Sequence, residues 1–217
     1  MRFQWWEDEW SSSFKSSRSG AILVLGALLV SAVTGCASVT LLQPLPATAD
    51  ATERARLEGE WIAEDQIIHV RFGSNGLGQI AGVDWKDGQF RLETGEITAC
   101  RGARQHFLSV RVKTDQEWEP HYYFAQYDFT PEGDLLLRLP DPVLFDAAVQ
   151  TGRLEGTVEK TDYFHTVEIS SAPEVLVAFL NYPESGELFD FKDPMILKRL
   201  VLGTSDEGEP VRMPEGT

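Results

Sequence analysis

The 217-residue chain is poor in cysteine, methionine and histidine, with two, three and four residues respectively. Two cysteines allow at most one intramolecular disulfide, so a scaffold held together by several disulfides is excluded. Positive charge is also scarce, since 19 basic and 34 acidic side chains give a net charge of −15. Such a surface repels phosphates, which argues against a nucleic-acid partner, and it offers no basic patch to anionic lipids.

An uncharged apolar run lies near the amino end. Residues 21–34 carry no charge. At about 1.5 Å per helical residue they are too short for a hydrocarbon core of about 30 Å. Lys15 and Arg18 precede the run, which is the arrangement of a secretory leader. The run therefore predicts the apolar region of a signal peptide rather than a transmembrane helix.

The motif that follows the run contains one of the two cysteines. Val33-Thr34-Gly35-Cys36 resembles the lipobox of bacterial lipoproteins. The resemblance implies that residues 1–35 are a removable signal peptide and that Cys36 becomes the lipidated first residue. In some bacterial lipoproteins an Asp directly after the cysteine retains the protein at the inner membrane. The resemblance therefore implies that Ala37 directs the protein to the outer membrane, where it faces the periplasm. An ordinary signal peptide beside an unrelated cysteine is the alternative.

Composition divides the remaining chain into three parts. Residues 36–56 contain prolines, alanines and threonines without a core pattern, and they predict a flexible tether behind the lipid. Residues 203–217 predict a disordered acidic tail. Residues 57–202 are enough for one domain. Within it Cys100 is expected to be a small core or strand residue rather than a nucleophile, because lipidation of Cys36 leaves it without an intramolecular disulfide partner. An intermolecular disulfide is the alternative.

The domain is dominated by short alternating runs between turn residues. In residues 67–72, Ile68, Val70 and Phe72 share one face, and residues 107–113 alternate in the same way. This period of two is typical of half-buried antiparallel strands. The aromatic run 121–129 is apolar on both faces. One of its faces should therefore meet the core, and the other a helix, a ligand or a partner.

Two helices interrupt the strands. Asp141 followed by a proline predicts a helix over 142–150, and Ser171 with Glu174 predicts a capping box for a helix over 172–181. The chain is therefore predicted to be mainly β, a single antiparallel β-barrel with two short helices, because closure removes unpaired sheet edges. A two-sheet β-sandwich is the alternative.

The first strand of the domain carries a second resemblance. The stretch Leu57–Trp61, "LEGEW", resembles the G-x-W signature that opens lipocalin-like barrels. It implies a lipocalin-like barrel in which Trp61 packs across the closed end. The other motifs and the disulfide of that family are not present.

Motifs that carry catalysis are scarce. There is no nucleophile elbow and no glycine-rich phosphate loop, and the four histidines lack the spacing of a local metal site. No catalytic residue, metal or cofactor is therefore predicted. The candidate ligand-binding residues form an aromatic group that could line a barrel mouth, although such residues also fill small β cores: Trp61, Trp85, Trp118, Tyr123, Phe124, Tyr127 and His165.

These observations favour a lipid-anchored envelope lipoprotein whose barrel binds a small apolar molecule or lipid. The alternative is an envelope interaction or assembly protein with a filled barrel. An enzyme is the least favoured class. An interior cavity of several hundred Å³ would indicate ligand binding, whereas a filled interior with an exposed aromatic patch would indicate docking. An enzyme would need a cleft in which a histidine meets a carboxylate.

Overall fold

The computed structural model describes most of the chain between Cys36 and Val201. The described residues are 36–63, 66–86, 89–114, 117–182, 187–190 and 192–201. The predicted signal peptide and acidic tail lie outside them. Both remain predictions.

The described residues contain twelve strands and three helices. The strands are β1 (Cys36–Leu41), β2 (Gly59–Ala63), β3 (Gln66–Phe72), β4 (Leu77–Lys86), β5 (Gln89–Arg101), β6 (His106–Thr114), β7 (Glu117–Trp118), β8 (Tyr122–Phe129), β9 (Leu135–Arg138), β10 (Gly156–Lys160), β11 (Phe164–Ile169) and β12 (Met195–Arg199). The helices are α1 (Ala51–Leu57), α2 (Pro142–Gln150) and α3 (Pro173–Leu180).

Eight antiparallel strands close into a barrel, in the order β2, β3, β4, β5, β6, β8, β9 and β12. The ring closes where β12 pairs with β2, Arg199 lying opposite Trp61. On the other side β6 pairs directly with β8, from His106 opposite Tyr127 to Val110 opposite Tyr123. The predicted antiparallel barrel is confirmed, and the β-sandwich alternative is wrong.

Three further strands extend from the barrel and are called the wing: β1, β10 and β11. Strand β8 connects the two parts, because its first residues pair with β1 and its last residues pair with β9. Strand β11 lies parallel to β1, with Cys36 opposite Phe164 and Leu41 opposite Ile169. The wing is thus a continuation of the barrel's own sheet.

The described residues form two hydrophobic cores. The barrel core fills the inside of the ring and includes Trp61 and Tyr127. The outer core lies between the wing, the helices α2 and α3 and the outer face of the barrel, and it includes Phe124 and Phe145. These two rings meet edge to face with centroids 5.5 Å apart. One face of β8 meets the barrel core and the other meets the helices. Of the helix, ligand or partner that the sequence left open for the second face, the structure has a helix.

Residues 36–56 differ from the flexible tether predicted for them. They contain β1 and most of α1, and Val39, Leu41 and Leu45 are buried in the outer core. The backbone N–H of Leu45 donates to Ser109 Oγ over 3.0 Å. The prediction of a tether followed from the proline and alanine content and overlooked the apolar residues that pack against the barrel. The domain therefore begins at β1 rather than at residue 57.

The helices differ from the prediction in number and in one cap. Helix α1 is the third, and its cap is formed by Asp50, whose Oδ1 accepts from the backbone N–H of Glu53 over 2.9 Å. Helix α2 begins after Asp141 as predicted. The capping box at Ser171 is wrong, because Ala172 precedes α3 and Ser171 Oγ accepts instead from the Glu155 N–H over 2.7 Å.

Candidate functional site

The barrel core contains a cavity lined by apolar side chains. Its volume is about 60 Å³, which is room for roughly four to six waters. The lining residues are Trp61, Ile68, Val70, Ile80, Ile97, Leu108, Val110, Ala125, Leu135, Leu137, Met195 and Leu197.

The lining leaves almost no polar group to a bound molecule. Its aliphatic residues come from strands all around the barrel. The indole N–H of Trp61 is the polar side-chain group of the set, and it already donates to the backbone carbonyl of Leu57 over 2.9 Å. Apolar cavities of this kind stay dry and take up small apolar molecules. Any affinity must therefore come from apolar burial.

One end of the barrel is closed around Trp61. This side chain is fully buried, and the Arg199 guanidinium lies 4.9 Å from its ring centroid. Arg199 also donates to the backbone carbonyls of Arg56, over 3.1 Å, and Glu58. Because those carbonyls lie at the end of α1, Arg199 fastens this helix to the last strand across Trp61.

A buried polar cluster joins α1 to the barrel wall. Tyr127 Oη donates to Glu53 Oε1 over 2.5 Å, and His106 Nδ1 contacts the same oxygen. Burial raises the pKa of the Tyr127 phenol, and its hydrogen bond to the Glu53 carboxylate raises that pKa further. Tyr127 therefore stays protonated, and its hydroxyl donates a hydrogen bond to Glu53. This hydrogen bond holds α1 against β8.

The predicted aromatic group does not converge on one site. Trp61 lines the cavity and Tyr127 packs in the barrel core nearby. Phe124 belongs to the outer core. Tyr123 and Phe124 border a separate small pocket of about 30 Å³ between β8 and β1. The two faces of β8 thus divide the predicted group between different cores.

The remaining predicted residues lie elsewhere. Trp118 is partly exposed on β7, and the cationic groups of Arg111 and Lys113 lie 4.8 and 4.7 Å from its ring centroid. His165 Nε2 lies 3.0 Å from Asp146 Oδ2 of α2. The side chain of Trp85 lies outside the described residues.

The cavity lining is mostly aliphatic, and the predicted site omitted these residues. The signal was present in the sequence, because the alternation that places Ile68 and Val70 on one face of β3 also points them inward. Val110 on β6 follows the same rule. The prediction selected aromatic residues, whereas the residues that line the cavity are those on the inward face of each strand.

Each of the four histidines contacts a carboxylate. None of the four lines the cavity. Within the described ranges, no group of three or more histidine, cysteine, aspartate or glutamate side chains is arranged to hold a metal ion. The four pairs are His69 with Glu60, His106 with Glu53, His121 with Glu168 and His165 with Asp146.

A row of exposed apolar side chains crosses the outside of the barrel. Ile67, Val83 and Leu92 are directly opposite one another on β3, β4 and β5, and Phe90 lies two residues before Leu92. All four are exposed. We call these four residues the outer stripe. Exposed apolar groups that are contiguous, rather than scattered, are typical of contact surfaces.

Comparisons of the chain with protein-family models, with curated proteins and with solved structures give no match. In the part of the chain that the structure describes, no helix has the length and apolarity needed to span a membrane.

Proposed function

We propose that the protein is a lipoprotein of the bacterial envelope that is anchored through Cys36 and binds one slim apolar molecule or acyl chain inside its barrel. The cavity and its almost entirely apolar lining support the binding part of this proposal, and the resemblance of residues 33–36 to a lipobox supports the anchor. The cavity of about 60 Å³ is smaller than the several hundred Å³ expected from the sequence for ligand binding, since typical pockets have roughly 300–1,000 Å³. A single narrow hydrocarbon group therefore suits it better than a bulky or polar ligand.

Filling the cavity tests the binding function. Ala125 lies in the lining and is buried, so Ala125→Leu adds volume where the ligand would lie. Overpacking costs about 1–3 kcal/mol, and we expect at least a roughly tenfold weaker affinity for a fluorescent single-chain fatty acid. Ala148→Leu is the matched control, because Ala148 is buried in the outer core instead. Equal affinities in the two variants would contradict ligand binding in the barrel.

Substitution of the two cysteines tests the anchor. Cys36→Ala should accumulate uncleaved precursor and abolish labelling by a clickable fatty acid. Cys100→Ala is the control and should keep the label, because Cys100 is buried in the outer core. Labelling that survives Cys36→Ala would place the lipid elsewhere.

The membrane assignment has its own test. The outer-membrane placement rests on Ala37. We therefore expect Ala37→Asp to move the lipidated protein to the inner-membrane fraction, with Ala37→Ser as the control. An unchanged distribution of the Asp variant would remove the support for the outer membrane.

The outer stripe supports docking of an envelope protein as the second candidate function. Its four apolar residues lie on the outer face of the sheet, away from both cores. Val83→Ser with Leu92→Ser should abolish cross-linking to a membrane partner if docking is correct. Leu77→Ser is the control, because Leu77 is exposed on the same strand outside the stripe. Unchanged cross-linking in the double variant would reject the stripe as a docking surface.

A further inference from the structure

The proposed acylation site lies in the sheet itself. Strand β1 begins at Cys36, and its backbone is paired in parallel with Phe164 of β11. Three residues later Val39 is buried in the outer core. Neighbouring strands lie about 4.8 Å apart, so the backbone of Phe164 lies one strand spacing from the residue that would carry the lipid. No linker separates the anchor from the folded domain.

Large aromatic side chains are exposed beside this point. Tyr163 is 82% exposed and Phe164 is 37% exposed. They follow the turn between β10 and β11, where Thr161 Oγ1 accepts from the backbone N–H groups of Tyr163 and Phe164, both over 3.2 Å. The turn therefore holds the two aromatic residues in place.

We propose that this end of the wing, formed by Tyr163 and Phe164, lies against the headgroup region of the bilayer that holds the anchor. The inference rests on the proposed lipidation of Cys36. Lipid chains attached at the start of β1 enter the hydrocarbon directly, which brings the neighbouring residues to the membrane surface. An aromatic ring with a polar tip, such as that of Tyr163, suits this boundary between apolar and aqueous phases.

Charge does not drive this contact. Glu159, Lys160 and Asp162 precede the aromatic residues, and they provide no excess of positive charge for anionic lipid. The contact should therefore form on neutral phosphatidylcholine vesicles and persist in high salt, because hydrophobic burial is not screened as charge attraction is.

Depth measurement tests the contact on the lipidated protein in phosphatidylcholine vesicles. Two or three acyl chains hold the protein firmly by themselves, so depth is more informative than affinity. In a Cys100→Ala background, Tyr163→Cys is labelled with an environment-sensitive fluorophore. We expect severalfold stronger quenching by headgroup-region nitroxide lipids than for Leu42→Cys. Leu42 is 43% exposed and follows the last residue of β1. At about 3.3 Å per residue it lies about 20 Å from Cys36 along the strand.

Acyl labelling of the same preparation separates the two proposals. An acylated protein with equal quenching at positions 163 and 42 would overturn the membrane contact and leave the anchor intact. Absence of the acyl label would overturn the proposed anchor itself. Self-quenching that grows with protein density and ignores the nitroxide lipids would show a second copy of the chain on this surface, and it would also overturn the proposal.

Discussion

At the residue scale, Glu53 shows how one carboxylate joins two elements. Its side chain is only 10% exposed, and Oε1 accepts the phenolic hydrogen bond of Tyr127. A buried carboxylate is costly without such partners. Glu53 thus stabilises the position of the short helix α1 only while Tyr127 and His106 contact its carboxylate.

Removing the Tyr127 hydroxyl should therefore destabilise the fold. Tyr127→Phe leaves a buried acceptor without its donor, which costs about 1–3 kcal/mol in the free energy of unfolding. Urea denaturation measures this change. Tyr163→Phe is the control and should stay within about 0.5 kcal/mol, because Tyr163 is largely exposed. A neutral Tyr127→Phe variant would mean that the hydrogen bond does not hold α1.

The buried Tyr122 phenol should make the stability of the fold fall at alkaline pH. Burial raises the pKa of Tyr122 from 10.0 to about 12, and its hydrogen bond to Glu96 adds to the shift. Above pH 10 the unfolded chain loses a proton that the folded chain keeps. The contribution of Tyr122 to the free energy of unfolding should therefore be constant below pH 10. It should fall as the pH rises from about 10 to about 12. Unfolding of Tyr122→Phe over this range should show a shallower fall, and an identical slope would contradict the assignment.

At the scale of elements, most strands of the barrel could be predicted, but the long-range strand pairing of the wing could not. Alternation identified β3 and β6, and Asp141 marked the start of α2. The alternation across 157–169 predicts a single strand, whereas the structure has β10 and β11 there, because the turn at Thr161 depends on a side-chain hydrogen bond. The sequence pattern also missed the β1 pairing, since a short apolar run in a proline-rich segment becomes a strand only through residues distant in sequence.

Ser171 separates the local interpretation from the tertiary one. A capping box at Ser171 would protect the first turn of α3, whereas the structure uses its hydroxyl to hold the N–H of Glu155. Ser171→Ala should therefore speed hydrogen exchange at Glu155, by roughly fivefold for a loss of about 1 kcal/mol, and leave the first turn of α3 unchanged.

Asp141→Ala is the matched control. Asp141 Oδ1 accepts from the N–H of Val143 over 2.8 Å, so exchange should speed at the start of α2. Faster exchange at the start of α3 in Ser171→Ala would restore the capping box.

At the scale of the molecule, two cores share one sheet and only one of them surrounds the cavity. Leu135 lines the cavity, and Leu176 of α3 is buried in the outer core. The barrel was predictable from strand count and turn spacing. The division into two cores was not, because it depends on which face of β5, β6 and β8 the helices cover.

Truncating one leucine in each core should separate stability from binding. Leu135→Ala and Leu176→Ala should each cost about 2–5 kcal/mol in urea unfolding. Only Leu135→Ala enlarges the cavity, so it alone should admit a bulkier fluorescent fatty acid than the unaltered protein binds. A comparable gain in Leu176→Ala would show that binding does not occur in the barrel.

The parallel pairing of Cys36 with Phe164 also sets an order of events during synthesis. Strand β1 is made early, but its partners β8 and β11 follow it only much later in the chain. Contacts between such distant parts of a chain form late in folding. Under the proposed secretion and lipidation, Cys36 would therefore lie in a segment without its strand partners, within reach of the modifying enzymes, until β11 has been made and the wing can form.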